Sequence, residues 1–352
     1  MAAMVIVNTP GDWGAVFPPL LHAEWNGWTP TDLIFPFFVF IVGVSIVLSA
    51  RSTGRVWTIV RRALVLYLLG LALALYPRFN FATVRVMGVL PRLALCYLAA
   101  ALLYRSIAAR RDALTVVLGL TAALLLGYWG LMALVTVPGG VAGDLTPSGN
   151  LGAWLDRTIL GEAHLWRQSR TWDPEGLLST LPAIATALTG VAAGMVLTSN
   201  SDQSRRIRTL FVWGALAVGA GLAWDFVFPI NKNLWTSSYV LFTSGLASLT
   251  LGGLYGWFDV GGHRTLARPF VVLGANALLL FVVSGWLVKT LLLVTVTGSR
   301  GERVTLYRAI FEKFFAPLAS PKVASLMFAL AALLLLYALL EVMYRRRWFL
   351  RA

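Results

Sequence analysis

The sequence predicts an all-α, polytopic integral membrane protein with about ten transmembrane helices. Of its 352 residues, 58% are hydrophobic and only 12% are charged, whereas soluble domains carry roughly 25% charged residues. The mean hydropathy is +0.76, and the apolar runs reach the roughly 20 residues that a bilayer-spanning helix needs. Because these runs are continuous and do not alternate with polar residues, they exclude a transmembrane β-barrel.

Nine apolar runs are long enough to cross the hydrocarbon core as helices, which satisfy their own backbone hydrogen bonds there. Residues 1–7 are typical of the last two turns of a further span, so we expect the first of the ten helices to be truncated. The nine full spans are predicted at 31–50, 59–76, 86–104, 113–136, 176–198, 207–228, 236–258, 269–294 and 323–344.

The distribution of arginine predicts the topology. The net charge of +14 comes largely from short loops, such as those at 105–111, 205–208 and 345–347. Cytoplasmic loops are enriched in Lys and Arg, so these loops and the C-terminus are predicted to be cytoplasmic, and nucleic acid is not an expected partner. Segments 8–30, 137–175 and 295–320 are then extracytoplasmic. We expect one transmembrane domain over 1–352, with 137–175 forming a cap loop within it.

Cysteine and histidine counts limit the chemistry. Cys96 is the single cysteine and there are three histidines, which excludes a disulfide scaffold and a structural zinc site. We expect no metal. The phosphate-binding GxxxxGK[ST], GxSxG and HExxH motifs do not occur, so ATP hydrolysis, lipase chemistry and zinc proteolysis lack their usual support.

The stretch HAEWNGWTPTDL, just before the span at 31–50, concentrates polar groups at the membrane edge. His22 is the candidate proton-transfer residue, because imidazole titrates near neutral pH; Trp25, Asn26 and Asp32 follow it. Polar groups at this depth are costly unless they are paired or functional. The alternative is a loop histidine beside an interfacial tryptophan belt.

Two further clusters lie at predicted extracytoplasmic helix ends. Asp173 and Glu175 precede the span at 176–198 and are candidate acceptor ligands; alternatively, they stabilise the helix N-terminus. Asn231, Lys232 and Asn233 precede the span at 236–258. A lone lysine there can also extend harmlessly to water.

Arg92 lies six residues into the span at 86–104. An arginine at membrane depth is a candidate for anion binding, since its charge is costly there without a function or a partner. The alternative is that Arg92 lies close enough to the membrane surface for its side chain to reach water.

Five segments carry a family resemblance: VNTPGDW, HAEWNGWTPTDLIFPFFVFIVGVSI, GVLPRLALCYL, DPEGLLSTL and FPINKNLWTSSYV. In this order, and over essentially the whole chain, the sequence resembles the heparan-α-glucosaminide N-acetyltransferase family. That resemblance implies about eleven spans, so one predicted segment is expected to divide, most readily within 269–322.

The resemblance implies a transmembrane acetyltransferase that moves the acetyl group of cytoplasmic acetyl-CoA to an amino sugar or glycan outside the cytoplasm. The family's catalytic histidine falls on His22 and its preceding asparagine on Asn8. A histidine can serve as the general base for the attacking amine or can carry the acetyl group itself, and both mechanisms stay open. A bacterial inner-membrane location is expected, and a homodimer is left open.

The remaining site residues follow from these roles. Hydrogen-bond donors to the oxyanion of the tetrahedral intermediate are expected among Asn8, Asn26 and Asn231. The predicted acetyl-CoA ligands are Arg92, Lys232 and Asn231, and the predicted acceptor ligands are Trp25, Asn26, Asp32, Asp173, Glu175 and Asn233. The alternatives are a transporter of a sugar or organic anion, in which the polar clusters line a path, and a non-catalytic membrane scaffold.

Overall fold

The computed structural model describes residues 1–49, 55–298 and 301–350. The last residue of the predicted span 31–50 and residues 299–300 of the predicted outer loop lie outside the described residues. The helices are α1 Ala2–Asn8, α2 Ile34–Ser49, α3 Val56–Leu75, α4 Val89–Ile107, α5 Ala113–Leu134, α6 Leu151–Leu160, α7 Thr180–Leu197, α8 Gln203–Asp225, α9 Ser237–Leu254, α10 Arg264–Ala275, α11 Ala277–Leu293, α12 Leu306–Phe314 and α13 Pro321–Arg345.

The predicted all-α membrane class is confirmed. In the described ranges, seven helices are individually long and apolar enough to cross a bilayer, and α10 with α11 makes an eighth if the two form one bent span. Eight of the nine predicted spans each correspond to one helix whose ends differ from the prediction by a few residues. The only described strands, β1 Thr295–Thr297 and β2 Arg303–Thr305, form an antiparallel hairpin before α12.

The predicted span 269–294 is divided at Asn276, where α10 and α11 meet at 64°. The amide of Asn276 fills the break, since its Nδ2 donates to the Trp348 carbonyl at 3.0 Å and its Oδ1 accepts from the Leu350 N–H at 3.0 Å. These two hydrogen bonds tie the chain following α13 to the break between α10 and α11.

Small residues let α2 and α7 pack closely at the centre of the bundle. A Cβ at Gly190 would lie 1.9 Å from the Phe40 carbonyl oxygen, and one at Gly43 would lie 2.0 Å from the carbonyl oxygen of Ala187. Glycine removes that clash and allows the two backbones to touch, as is common between membrane helices. This contact fixes α2, and with it the turn that carries Asp32, against α7.

α9 is an inner helix rich in hydroxyl groups. It packs along α8 and also against α7, α2 and α5. Ser237 donates to the Leu125 carbonyl at 2.7 Å, and Ser248 to the Leu210 carbonyl at 3.0 Å. Serine, threonine and glycine make up much of α9, so it is not among the described helices that are apolar enough to span a membrane by themselves.

α1, α10, α11 and α13 form a second packed group beside this centre. At one end of the molecule, the segment before α2 meets the α8–α9 loop, and the α3–α4 loop meets the segment before α7. Most of the polar residues singled out in the sequence lie at this end.

Candidate active site

His22 and Asp32 form a hydrogen-bonded pair at the start of α2. The distance between His22 Nδ1 and Asp32 Oδ1 is 2.6 Å, and the two side chains are 51% and 1% exposed. An ionised carboxylate can only accept, so in the neutral imidazole Nδ1 carries the proton and Nε2 carries the lone pair. The pair presents an oriented, accessible imidazole backed by a buried carboxylate.

Asp32 is held rigidly by its own turn. Its Oδ2 accepts from the backbone N–H groups of Ala23 and Thr29, both at 3.0 Å, and from the Thr29 hydroxyl at 3.1 Å. The contacts with Thr29 form a capping box on the Pro30–Leu33 turn. Tyr239 of α9 donates to the Asp32 carbonyl at 2.5 Å. Asp32 therefore lies behind His22, with one carboxylate oxygen bonded to the imidazole ring and the other bonded within its own turn.

Lys232 brings a positive charge beside the imidazole. Its Nζ lies 3.3 Å from His22 Nδ1, 3.4 Å from Nε2 and 3.9 Å from Asp32 Oδ1. Burial lowers the pKa of Lys232 from its ordinary value, while Glu175 and Asp32 act in the opposite direction. The sequence separates His22 from Lys232 by 210 positions, and the fold brings them into contact.

Asn231 and Asn26 join the two loops that carry His22 and Lys232. Asn231 Nδ2 donates to Asn26 Oδ1 at 3.1 Å, and Asn231 Oδ1 accepts from the Leu234 N–H at 2.8 Å. Beside them, Gly27 donates to the Ile230 carbonyl at 2.7 Å with φ at +91°, a conformation that favours glycine. Asn231 is fully buried, so its amide braces the loops, while Asn26 is exposed.

Asp173 and Glu175 are bound by Arg85, a residue that the sequence did not indicate. Arg85 Nε donates to Asp173 Oδ2 at 2.8 Å, and its Nη2 bonds to both carboxylates. Burial disfavours the charged forms of both Arg85 and Glu175. The two carboxylates outweigh this effect at Arg85 and raise its pKa. At Glu175 the positive charges of Arg85 and Arg92 outweigh it and lower the pKa of the carboxyl group. Arg85 is one of several basic residues on the acid-rich side, and nothing in the sequence sets it apart from the others.

Arg92 is fully buried beneath this cluster. Its Nη2 donates to the Gly176 carbonyl at 2.9 Å and to the Ser179 hydroxyl, and its guanidinium lies 5.1 Å from the centre of the Trp235 ring. Within the described ranges, its Nε and Nη1 have no hydrogen-bond partner. The span therefore buries a cation with two unused donors close to the candidate site.

Trp25 packs edge-on against Trp172, with ring centroids 5.1 Å apart, and donates from Nε1 to the Leu145 carbonyl at 2.9 Å. This contact ties the segment that carries His22 to the predicted cap loop. Asn233 is half-buried in the α8–α9 loop, next to Lys232.

Asn8 is exposed at the end of α1. Within the described ranges, no hydrogen bond or ion pair connects it with His22 or with any other predicted site residue. The other predicted residues gather around the His22 and Arg85 clusters.

This helical membrane fold and its His22–Asp32–Lys232 centre define a polytopic membrane protein with the groups needed for proton transfer at one membrane face. The chain is 32% identical over 337 residues to the human heparan-alpha-glucosaminide N-acetyltransferase, covering 79% of the chain and 50% of that protein. It is also 32% identical over 339 residues to the mouse protein of the same name, covering 80% of the chain and 51% of that protein.

The chain therefore belongs to the heparan-alpha-glucosaminide N-acetyltransferase family. It spans about half the length of the curated relatives that it matches. No protein-family model matches it.

Proposed function

We propose that this chain is a transmembrane acetyltransferase that moves the acetyl group of acetyl-CoA to the amine of an amino sugar or glycan at the face that carries His22. The observation that carries the proposal is the exposed imidazole of His22, oriented by buried Asp32. The named activity of the relatives supports it.

His22 supplies the base. The lone pair of Nε2 takes a proton from the acceptor amine as the amine nitrogen attacks the thioester carbonyl carbon. The new C–N bond forms, the C–S bond breaks, and the proton returns from the imidazolium to the CoA sulfur. In the two-step version, Nε2 attacks the carbonyl carbon, the C–S bond breaks and the CoA thiolate leaves. The amine then displaces the acetyl group from Nε2, and the proton that the amine loses balances the one that the CoA thiolate takes up.

Asp32 and Lys232 act through the imidazole. Asp32 holds the ring in the tautomer that exposes the Nε2 lone pair and stabilises the imidazolium when it forms. Lys232 and the exposed amide of Asn26 are placed to donate to the oxyanion of the tetrahedral intermediate. Asn8 remains a proposed donor, although in the described part of the chain no hydrogen bond or ion pair joins it to the other site residues.

Acetyl-CoA carries several phosphate charges at the end of the molecule away from its thioester, so the route that leads it to the reacting centre needs cations. Lys232 beside His22, and buried Arg92 with Nε and Nη1 unpaired in the described ranges, are the cations proposed for that route; Asn231 supports the loop that presents Lys232. A cavity of about 180 Å³ lies at the C-terminal ends of α2 and α4, away from His22, and is lined by Ser49, Tyr104 and Arg105. We assign it to donor entry from the cytoplasm.

The acceptor side is formed by Trp25, Asn26, Asn233 and the cluster of Asp173 and Glu175. Glu175 contributes one oxygen to Arg85, so its second oxygen can bind a sugar hydroxyl or ammonium. Asp173 is fully buried and bound by Arg85, so it acts by holding Glu175 in place.

The test is acceptor-dependent release of CoA from acetyl-CoA by purified protein in detergent, with glucosamine as acceptor. His22→Ala is expected to lower turnover by about 10³-fold, within the range of general-base effects. His263→Ala is the matched control, because His263 is exposed and stacks on Trp257 beside α10. Equal turnover of wild type and His22→Ala would exclude this mechanism, and uptake of glucosamine without CoA release would favour a transporter.

The proposed sidedness has its own test, since Cys96, the native cysteine, is fully buried. Exposed positions in the predicted outer and cytoplasmic loops are Ser148 and Ser204. A membrane-impermeant maleimide added to intact cells should label Ser148→Cys and leave Ser204→Cys unlabelled until the cells are opened. The reverse pattern would contradict the topology.

A further inference from the structure

A second cavity, of about 660 Å³, lies at the same end of the molecule as His22. It opens where α3 ends, α4 begins and α11 ends. Its wall is mostly apolar and includes Leu73, Phe281 and Leu292; Leu292 and the neighbouring Leu293 are 40% and 56% exposed. The charged side chains that line it within the described ranges are all cationic: Arg78, Arg85, Arg167 and Lys289.

Three of these four cations have no carboxylate partner in the described part of the chain. Arg85 is neutralised by Asp173 and Glu175. The Nζ of Lys289 donates to the Leu73 carbonyl and, at 3.1 Å, to the Tyr76 carbonyl, which orients the ammonium but leaves its charge uncompensated.

Arg167 lines the same cavity as Lys289. Arg78 and Arg167 are both exposed. Like charges gathered at one end of a cavity favour a bound anion.

We propose that this cavity binds the headgroup of an anionic phospholipid, with its phosphate on Arg78, Arg167 and Lys289 and its acyl chain along the leucine wall. Cations alone would suit any small anion, but the apolar, partly exposed wall beside them matches an amphipathic ligand. A neutral lipid would leave the cations uncompensated. The proposal does not depend on acetyl transfer.

The experiment measures lipid binding to the purified full chain by native mass spectrometry, comparing phosphatidylglycerol with phosphatidylcholine of the same acyl chains. Wild type is expected to bind phosphatidylglycerol about 10-fold more tightly, since each basic residue near an anionic headgroup contributes measurably. The double variant Arg78→Gln/Arg167→Gln should lose that preference. Arg170→Gln, an exposed neighbour that does not line the cavity, should keep it, as should Arg78→Lys/Arg167→Lys.

Three results would overturn the proposal: equal affinity of wild type for the two lipids, an unchanged preference in the glutamine double variant, or displacement of phosphatidylglycerol by equimolar inorganic phosphate or CoA. The last result would assign the cavity to a soluble phosphate. Size-exclusion elution of each variant verifies that it is folded, and His22→Ala, which leaves the cavity intact, should bind phosphatidylglycerol as wild type does.

Discussion

At the residue scale, the pairing of His22 with Asp32 gives a test of positioning that differs from removal of the base. Asp32→Asn retains the size of the side chain but places a neutral amide beside Nδ1, which no longer fixes the tautomer. We expect kcat to fall by at least about 100-fold with little change in KM for the acceptor, because Asp32 is buried behind His22.

The kinetic measurement should include Asp112→Asn as a control, since Asp112 is an exposed acid paired with Arg110. A rise in KM for the acceptor with kcat unchanged would place Asp32 in substrate binding, contrary to its position behind the ring. Asp32→Asn should also alter the pH profile of kcat, which a purely structural role would not do.

Asp156 supplies a pH-dependent test of the loop before α7. It is 2% exposed and accepts from the Leu177 N–H at 2.8 Å, and burial raises its pKa to about 6. The carboxyl group of Asp156 therefore binds a proton more tightly in the folded state than in the unfolded state. Protonation stabilises the fold fully below pH 3.8, and this contribution to the free energy of unfolding is lost as the pH rises to about 6.

Asp156→Asn removes that titration while keeping an acceptor for Leu177. Relative to wild type, the variant should gain thermal stability between pH 4 and pH 7, by at most about 3 kcal/mol from 1.36 kcal/mol per pKa unit. Melting curves in detergent across this range provide the measurement. A constant difference between the two proteins would show that Asp156 does not titrate there.

At the element scale, the contact of α2 with α7 determines where the His22 segment lies. Gly190→Ala would place a Cβ 1.9 Å from the Phe40 carbonyl oxygen, so the helices must separate. We expect a clear loss of thermal stability together with a loss of turnover, because α2 begins at the turn that holds Asp32.

Gly127→Ala in α5 is the matched control, since nothing lies within 4 Å of its added Cβ. Alanine at an open helical position should be neutral or stabilise by about 0.5–1 kcal/mol. Equal melting temperatures for Gly190→Ala and Gly127→Ala would show that α2 and α7 do not pack as closely as described.

The helices could be predicted from the sequence, whereas their partners could not. Hydropathy and length locate a span, and the nine predicted spans each contain a helix. The division at Asn276 depends on hydrogen bonds with Trp348 and Leu350. No local pattern reports a partner more than seventy positions away.

For the whole molecule, too, the sequence does not show which distant residues meet in the candidate active site. The sequence singles out His22 and Lys232 separately, because each is a polar group at the end of an apolar run. Their contact, and the clamp of Arg85 on Asp173 and Glu175, arise only when distant loops meet at one end of the bundle. The burial of Asp32 behind His22 is likewise a tertiary property.

The buried hydroxyl groups of α9 have a consequence for biogenesis. A segment enters the bilayer from the translocon according to its own apolarity, and the serine, threonine and glycine residues of α9 lower that apolarity. Its serines find acceptors on neighbouring helices only after those helices have arrived. We infer that α9 inserts as a hairpin with α8 and is retained in the membrane by that partner.

Glycosylation mapping in microsomes can measure how efficiently α9 inserts into the membrane with and without α8. α9 alone should insert poorly, and the α8–α9 hairpin should insert well; efficient insertion of α9 by itself would refute the inference. The helix that donates Tyr239 to the Asp32 turn would thus depend on α8 to enter the membrane, so the candidate active site would be completed only after α8 and α9 have assembled together.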